Sequence, residues 1–271
     1  MTISTRDQLI NALGNNSSRL VIDKASLANA VAGQFFSLWT ANGVPGAGAI
    51  PAAAAVPTSV TTGAFSFANQ TAPATGYLAW LAFQNANAIT NLEIHDRLAA
   101  QGGLSGTVTT AQGAVDLTTT NPGAARIGAS NYSDVRWWLE IYTALGATGV
   151  NATVAVTYND GTTGNLTAFA LGATPRQGRL YPLVSAVSGK FIRGVTGVTL
   201  NTSTGTAGNF GITATRPRTS VSANVANKTE TFDWAQLGLP NIPNDSCLFM
   251  LLNCTTTTTG VLRGQGKIAH G

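Results

Sequence analysis

Up to about residue 41 the apolar positions recur at a helical spacing, and from Phe65 onward they recur every second residue. Thr5 followed three residues later by Gln8 is a capping-box pattern. Leu9, Ile10 and Leu13 add an apolar stripe that Gly14 closes, which predicts a short helix. Asp23 reads as the N-cap of a second helix, from Lys24 to about Ala41, with Gly43 and Pro45 as stop signals. On that helix Leu27, Val31, Phe35 and Leu38 line one face, and Ala28, Ala32, Phe36 and Trp39 line the next. An apolar arc this wide implies burial within the fold or between subunits, and it makes Phe35, Phe36 and Trp39 candidates for an assembly contact. Residues 43–62 carry Pro45, Pro51, Pro57 and four consecutive alanines, Ala52 to Ala55, and predict an extended Pro/Ala arm.

Beyond the arm, Phe65 with Phe67, Tyr77 to Phe83 and Leu92 to Leu98 read as short strands. The clearest alternation runs from Arg136 to Phe169, where Trp137, Leu139 and Ile141 interleave with Trp138, Glu140 and Tyr142. Val154, Val156 and Tyr158 then lead into Asn159-Asp160-Gly161, residues that tolerate the positive φ of a tight hairpin turn, and Leu166 to Leu171 returns. Further strands are expected at Phe191 to Leu200, Asn209 to Thr215, Asp245 to Asn253 and Gly260 to Ile268. The pattern predicts a mainly β chain: an antiparallel β-sandwich or jelly-roll body over 63–271, preceded by a helical region and arm over 1–62.

Composition changes this picture by removing charge. Only 10% of the residues are charged although 44% are hydrophobic, against roughly 25% charged in ordinary domains. Thr, Ser, Asn, Gln and Gly must cover the surface instead, as in Thr107 to Thr120 and Thr255 to Gly260. Such a surface is cheaper to bury against protein than one of Lys and Glu, which points to an assembly subunit. The net charge is +4. No carboxylate lies between Asp160 and Glu230, whereas Arg176, Arg179, Lys190, Arg193, Arg216, Arg218 and Lys228 all fall there. That sector is either a positive face for an acidic protein surface or a set of solvated residues scattered over the fold. Specific nucleic-acid binding is not expected, because no aromatic stacking motif or basic helix accompanies it.

Trp137 and Trp138 are adjacent in a strand and must point to opposite faces, which suggests one in the core and one in a subunit contact, or an exposed sugar platform. Glu93, His95 and Arg97 would share one strand face with Asp96 on the other, the densest ionisable cluster in the chain. A strand-end salt-bridge cluster is the simpler reading, since no nucleophile motif or second histidine cluster accompanies it. His270 is expected to be solvated or disordered, and Cys247 and Cys254 to be buried thiols. No cofactor motif and no metal-ligand spacing is present, so neither catalysis, cofactor nor metal is expected. The N-terminal residues lack an apolar signal run, which suggests a protein that stays in the cytoplasm that made it, with no membrane association.

Arg6-Asp7-Gln8-Leu9-Ile10-Asn11-Ala12-Leu13, Ile22-Asp23-Lys24-Ala25-Ser26 and Ser37-Leu38-Trp39 are phrases that resemble virion structural proteins of tailed bacteriophages. In the body they include Asp96-Arg97-Leu98, the stretch Gly103 to Gln112, Trp138 to Thr143 and Ala152 to Tyr158. The resemblance implies a β-rich subunit of a phage head or tail made in the bacterial cytoplasm, commonly symmetric and often trimeric. On that basis the expected role is a capsid decoration or cement subunit that bridges capsomers, with the major capsid protein and further copies of itself as partners. The alternative is a tail or baseplate module recognising host glycan. Phe35, Phe36, Trp39, Trp137, Trp138, Arg176, Arg179 and Arg193 are the expected contact residues.

Overall fold

A computed structural model describes residues 2–271. The chain opens with α1 (Arg6–Asn15), β1 (Ser17–Lys24), β2 (Phe35–Ser37), β3 (Gly43–Val44), β4 (Gly76–Asn85) and β5 (Thr90–Leu104). It continues through β6 (Val115–Asp116), α2 (Ala124–Ile127), β7 (Arg136–Thr143), β8 (Val150–Tyr158), β9 (Thr163–Asn165), β10 (Phe169–Gly172), β11 (Arg179–Leu183) and β12 (Ile192–Leu200). β13 (Asn209–Ala223), β14 (Glu230–Asp233), α3 (Trp234–Leu237), β15 (Asn241–Ile242), β16 (Leu248–Asn253) and β17 (Leu262–His270) complete it. The fold is mainly β and its strand pairings are antiparallel, in keeping with a sandwich or jelly-roll class.

Two compact units divide the chain, one of residues 2–49, Thr58–Asp96 and Pro217–Gly271, the other of Ile50–Pro57 and Arg97–Arg216. Residue 62, the boundary expected from sequence, falls within the first of them.

In the first unit one sheet has the order β14-β4-β17-β1-β3, with β15 also paired to β4. β1 and β17 are in register over eight residues, from Ser17 opposite Ala269 to Lys24 opposite Leu262. Leu20, Ile22, Leu78, Leu81, Phe83 and Ile268 point into a core that β16 fills from the other side with Leu248, Met250 and Leu252. β16 is buried on both faces, since Phe249 packs edge-on against Trp39 at a centroid distance of 5.9 Å. That explains the unbroken apolar run that precedes Cys254.

The second unit carries the sheet β10-β8-β12-β6, with β9 also on β8, and the pairings β11-β7-β13. Trp137, Leu139 and Ile141 of β7 join Val154, Val156, Val198 and Ile212 in its core. The hairpin expected at Asn159-Asp160-Gly161 is formed. Gly161 donates to Tyr158 O at 3.0 Å, β9 pairs with β8, and β10 returns along the other end of β8.

The helix expected from Thr5 forms with its capping box intact: the Thr5 hydroxyl accepts from Gln8 N, and the Gln8 side chain accepts from Thr5 N. The helix expected from Lys24 to Ala41 does not. β1 runs up to Lys24, where that helix was expected to begin, because Leu20, Ile22 and Lys24 alternate with Arg19, Val21 and Asp23 and only the first three turn inward. Asn29 and Gly33 then take φ of +61° and +76°, which breaks any helix, and Phe35–Ser37 pairs with β16. Phe65 and Phe67 lie outside any strand.

The Pro/Ala segment is extended as expected, but it is bound to its own chain. In the first unit Gly48 N donates to Trp39 O at 2.7 Å and Trp39 Nε1 to Ala49 O at 2.8 Å. In the second, Ala55 and Ala100 exchange two hydrogen bonds of 3.0 Å, and Gly102 N donates to Pro51 O at 2.7 Å.

Candidate contact surface

The residues expected to make subunit contacts lie mostly inside the protein. Phe36, Trp39, Trp137 and Trp138 are all buried, and Phe35 is half-buried. Trp39 is held against glycine backbone, so that a Cβ on Gly48 would lie 2.1 Å from its ring. Trp137 Nε1 donates to Ile192 O at 2.8 Å and Trp138 Nε1 to Thr215 Oγ1 at 2.9 Å. β7 lies between β11 and β13 and is covered on both faces, so neither indole is left as a platform for a sugar ring or a partner. Alternation alone shows that the two rings oppose each other but not whether both sides are covered.

The carboxylate-free sector is likewise not a free positive face, because carboxylates from elsewhere in the sequence reach it. Arg193 pairs with Asp116 at 3.4 Å, Arg216 with Asp134 at 3.2 Å, Arg218 with Asp96 at 3.0 Å, Lys190 with Asp160 at 3.1 Å and Lys228 with Glu230 at 3.5 Å. Arg179 lies over the Tyr181 ring at 4.3 Å, and Arg176 is half-buried. The Thr162 hydroxyl and N–H, with Lys190, bring the Asp160 carboxyl down to about 2.

The ionisable cluster on β5 sits in the middle of its strand rather than at an end, and it divides between the two units. In the first, His95 Nε2 meets Glu93 Oε2 at 2.7 Å, and Asp96 accepts from Arg218 and from Cys247 N at 2.8 Å. In the second, Arg97 reaches Glu140 Oε2 at 2.8 Å, while Thr213 bonds to both Arg97 and that same Glu140 oxygen. Tyr142 accepts from Arg97, and burial raises its phenol above the ordinary tyrosine range. Arg126 donates to Arg97 O at 2.8 Å and Pro57 O at 3.0 Å. His95, Asp96, Arg97 and Glu140 are almost wholly buried, and the cluster is internal ion pairing.

His270 is buried, not solvated. Its Nε2 lies 2.7 Å from Ser18 Oγ, its backbone N–H donates to Asn16 O, and burial holds its imidazole below the usual value. Cys247 and Cys254 are free, buried thiols, and burial pushes Cys254 up to about 11. Among the described residues no three His, Cys, Asp or Glu converge, and no helix is long and apolar enough to cross a membrane.

The exposed surface with the clearest design is one end of the first unit, which sequence reasoning missed. Four loops meet there, 25–34, 86–89, 224–229 and 254–261, at the ends of β1, β4, β13 and β16. Leu27 and Thr259 exchange hydrogen bonds, and Gly33 N and Cys254 N bond across to Cys254 O and Gln34 O. Asn87 Nδ2 donates to Thr256 Oγ1 and Thr258 O, Thr255 Oγ1 to Ala88 O, Ala86 N to Val261 O, and Asn227 N to Asn85 O. Buried Asn85 donates to Thr259 O, and Gly260, at φ +71°, leaves it room: a Cβ there would lie 2.1 Å from Asn85 Oδ1. Val31, Ile89, Val225 and Val261 stand exposed on these loops beside the exposed polar residues Asn29, Asn224 and Thr257. Ile89 is 67% exposed although it holds φ +53°, a conformation disfavoured for a β-branched residue. Lys228 is the sole charged residue in the four loops. That lack of charge was the available signal, and the distances between the loops in sequence hid it.

No protein-family model matches the chain, and neither does any curated protein. Among solved structures it is similar to that of the infectious bursal disease virus Gt strain, with 11% identity, a TM-score of 0.21, and coverage of 94% of this chain and 80% of that one. The Gx strain structure gives the same values, and the VP2 subviral particle of that virus gives 9% identity, a TM-score of 0.17, and coverage of 94% and 79%.

Proposed function

We propose that this chain is a structural subunit of a virus particle, a decoration or cement protein of a tailed-bacteriophage head that joins copies of itself and binds the major capsid protein. The observation that carries the reading is the disposition of charge. A charge-poor chain pairs most of its cations internally and leaves an ordered, nearly uncharged end of four loops as open surface. Neutral hydroxyl, amide and aliphatic surface costs little to dehydrate, so it suits permanent contacts between subunits. The phage-like phrases in the sequence support the same reading.

Mechanistically, a subunit of this kind adds buried area at junctions between capsomers and so opposes outward pressure on the shell. No reaction is proposed. Burial of Trp137 and Trp138 removes the sugar platform on which a glycan-binding role rested. The test is to purify particles from cells that make the chain and to quantify it against the major shell protein. A fixed ratio that survives stringent washing supports the proposal, whereas recovery only in the soluble lysate overturns it.

A further inference from the structure

We infer that Asn42 and Gly43 form a self-modifying site, where the Asn42 side chain converts without any enzyme to aspartate and isoaspartate, and that the isoaspartyl product loosens the edge of the first unit's sheet. Asn42-Gly43 is the sole Asn-Gly pair in the chain. The reaction requires an amide side chain free to turn, a following backbone nitrogen free to attack it, and no side chain on the attacking residue.

All three requirements are met here. Asn42 and Gly43 are exposed, and among the described residues the Asn42 side chain has no hydrogen-bond partner. Ala25 N donates to Asn42 O at 2.9 Å, while Lys24 lies opposite Gly43 and Asp23 opposite Val44. In an antiparallel ladder this makes Lys24 and Gly43 a pair that exchange no hydrogen bonds, so the Gly43 N–H points away from β1. β3 ends the strand order of its sheet, so that side is the open edge. The fold itself imposes the glycine: φ is +124°, and a Cβ there would lie 1.8 Å from Asp23 O. Other asparagines are tied down. Asn16 donates to His270 O at 2.9 Å and Asn244 to Gln70 O at 2.7 Å.

In the first step the Gly43 nitrogen gives up its proton to water or hydroxide and bonds to Asn42 Cγ, closing a succinimide ring. The bond from Cγ to the side-chain nitrogen breaks, and that nitrogen takes up a proton and leaves as ammonia. Water then opens the ring. Attack at the side-chain carbonyl gives aspartate, and attack at the main-chain carbonyl gives isoaspartate, whose backbone carries an extra methylene. The net change is ammonia exchanged for water, with no oxidation or reduction.

The place of that methylene gives it an effect. The buried Lys24 ammonium donates to Ala41 O at 2.9 Å and Gly46 O at 3.2 Å, carbonyls on either side of the modified bond. Lengthening the chain between them shifts Gly43–Val44 against Asp23–Lys24 and draws a carbonyl away from a buried donor. The aspartyl product leaves the backbone as it was.

The test ages the purified full chain at mildly alkaline pH and maps its peptides by mass spectrometry, with isoaspartate scored by enzymatic methylation. The peptide containing Asn42 is expected to exchange ammonia for water before any other asparagine does, mainly as isoaspartate, and the thermal midpoint of the aged chain to fall. Asn42→Gln should abolish both changes, because the longer side chain closes its ring slowly. Freshly made Asn42→Asp should melt with wild type, since its backbone is intact. An Asn42 that stays intact through ageing, or that reacts only once urea has unfolded the chain, overturns the inference. Conversion at Asn42 with aged wild type melting like aged Asn42→Gln overturns its effect on the sheet edge.

Discussion

Arg97 and Glu140 show how individual residues in this fold tolerate buried charge. Each has the other as a partner at 2.8 Å, and Thr213 bonds to both. Removing one member strands the other, so Glu140→Ala is expected to destabilise the protein by about 3–5 kcal/mol, read as a lower urea midpoint at unchanged slope. Lys24 is the opposite case, a buried ammonium that donates to Ala41 O at 2.9 Å and Gly46 O at 3.2 Å, with burial pushing it down to about 8. Below about pH 8 the folded and unfolded chains both carry the proton, and the burial cost is complete. Between that pH and the ordinary lysine value of 10.5 only the unfolded chain keeps it, so this residue's contribution to stability rises with pH. Cys254, raised to about 11, acts in the opposite sense above its ordinary value, so the comparison must be with Lys24→Met. The stability of that variant relative to wild type should decline across this window, and a constant difference would contradict the assignment. The cluster of Glu93 to Arg97 was legible in sequence as ionisable residues close together. Its partners were not, because Glu140 and Arg218 are brought in by strand pairing.

Elements were legible where the local pattern was the whole cause. The capping box of α1 depends on Thr5 and Gln8 alone, and the turn at Asn159-Asp160-Gly161 depends on residues that accept its geometry. The stretch from Lys24 to Ala41 was misleading because its wide apolar arc fits two structures equally well. A helix apolar over most of its girth and a chain that packs on a core with both of its sides have the same composition. The alternation of Leu20, Ile22 and Lys24 was the better guide, obscured because the third inward position is a lysine. The correction has a consequence for truncation. β1 lies between β17 and β3 and contributes Leu20 and Ile22 to the core, so the segment through Thr62 is not a detachable arm. A chain lacking residues 1–62 is expected to lose cooperative thermal unfolding. A truncated chain that melts as sharply as the full one would show that β17 does not need its neighbour.

For the whole molecule, the low charge visible in the sequence proved informative, while its apparent partition did not. The stretch without carboxylates suggested a positive sector, but pairing across sequence distance matches Arg193, Arg216 and Arg218 with Asp116, Asp134 and Asp96. Phe36, Trp39, Trp137 and Trp138, chosen as contacts for their aromatic size, were core, since a chain with few charges still fills its interior first. What distinguishes the surface is a set of nearly uncharged loops joined at one end of a unit, a feature that arises from topology. The chain is proposed to belong in a particle, joined to other copies and to the major capsid protein. A reconstruction of particles purified from cells that make the chain tests it most directly. Density for this fold is expected at symmetry-related junctions between capsomers. Particles whose density is fully explained without the chain would contradict it.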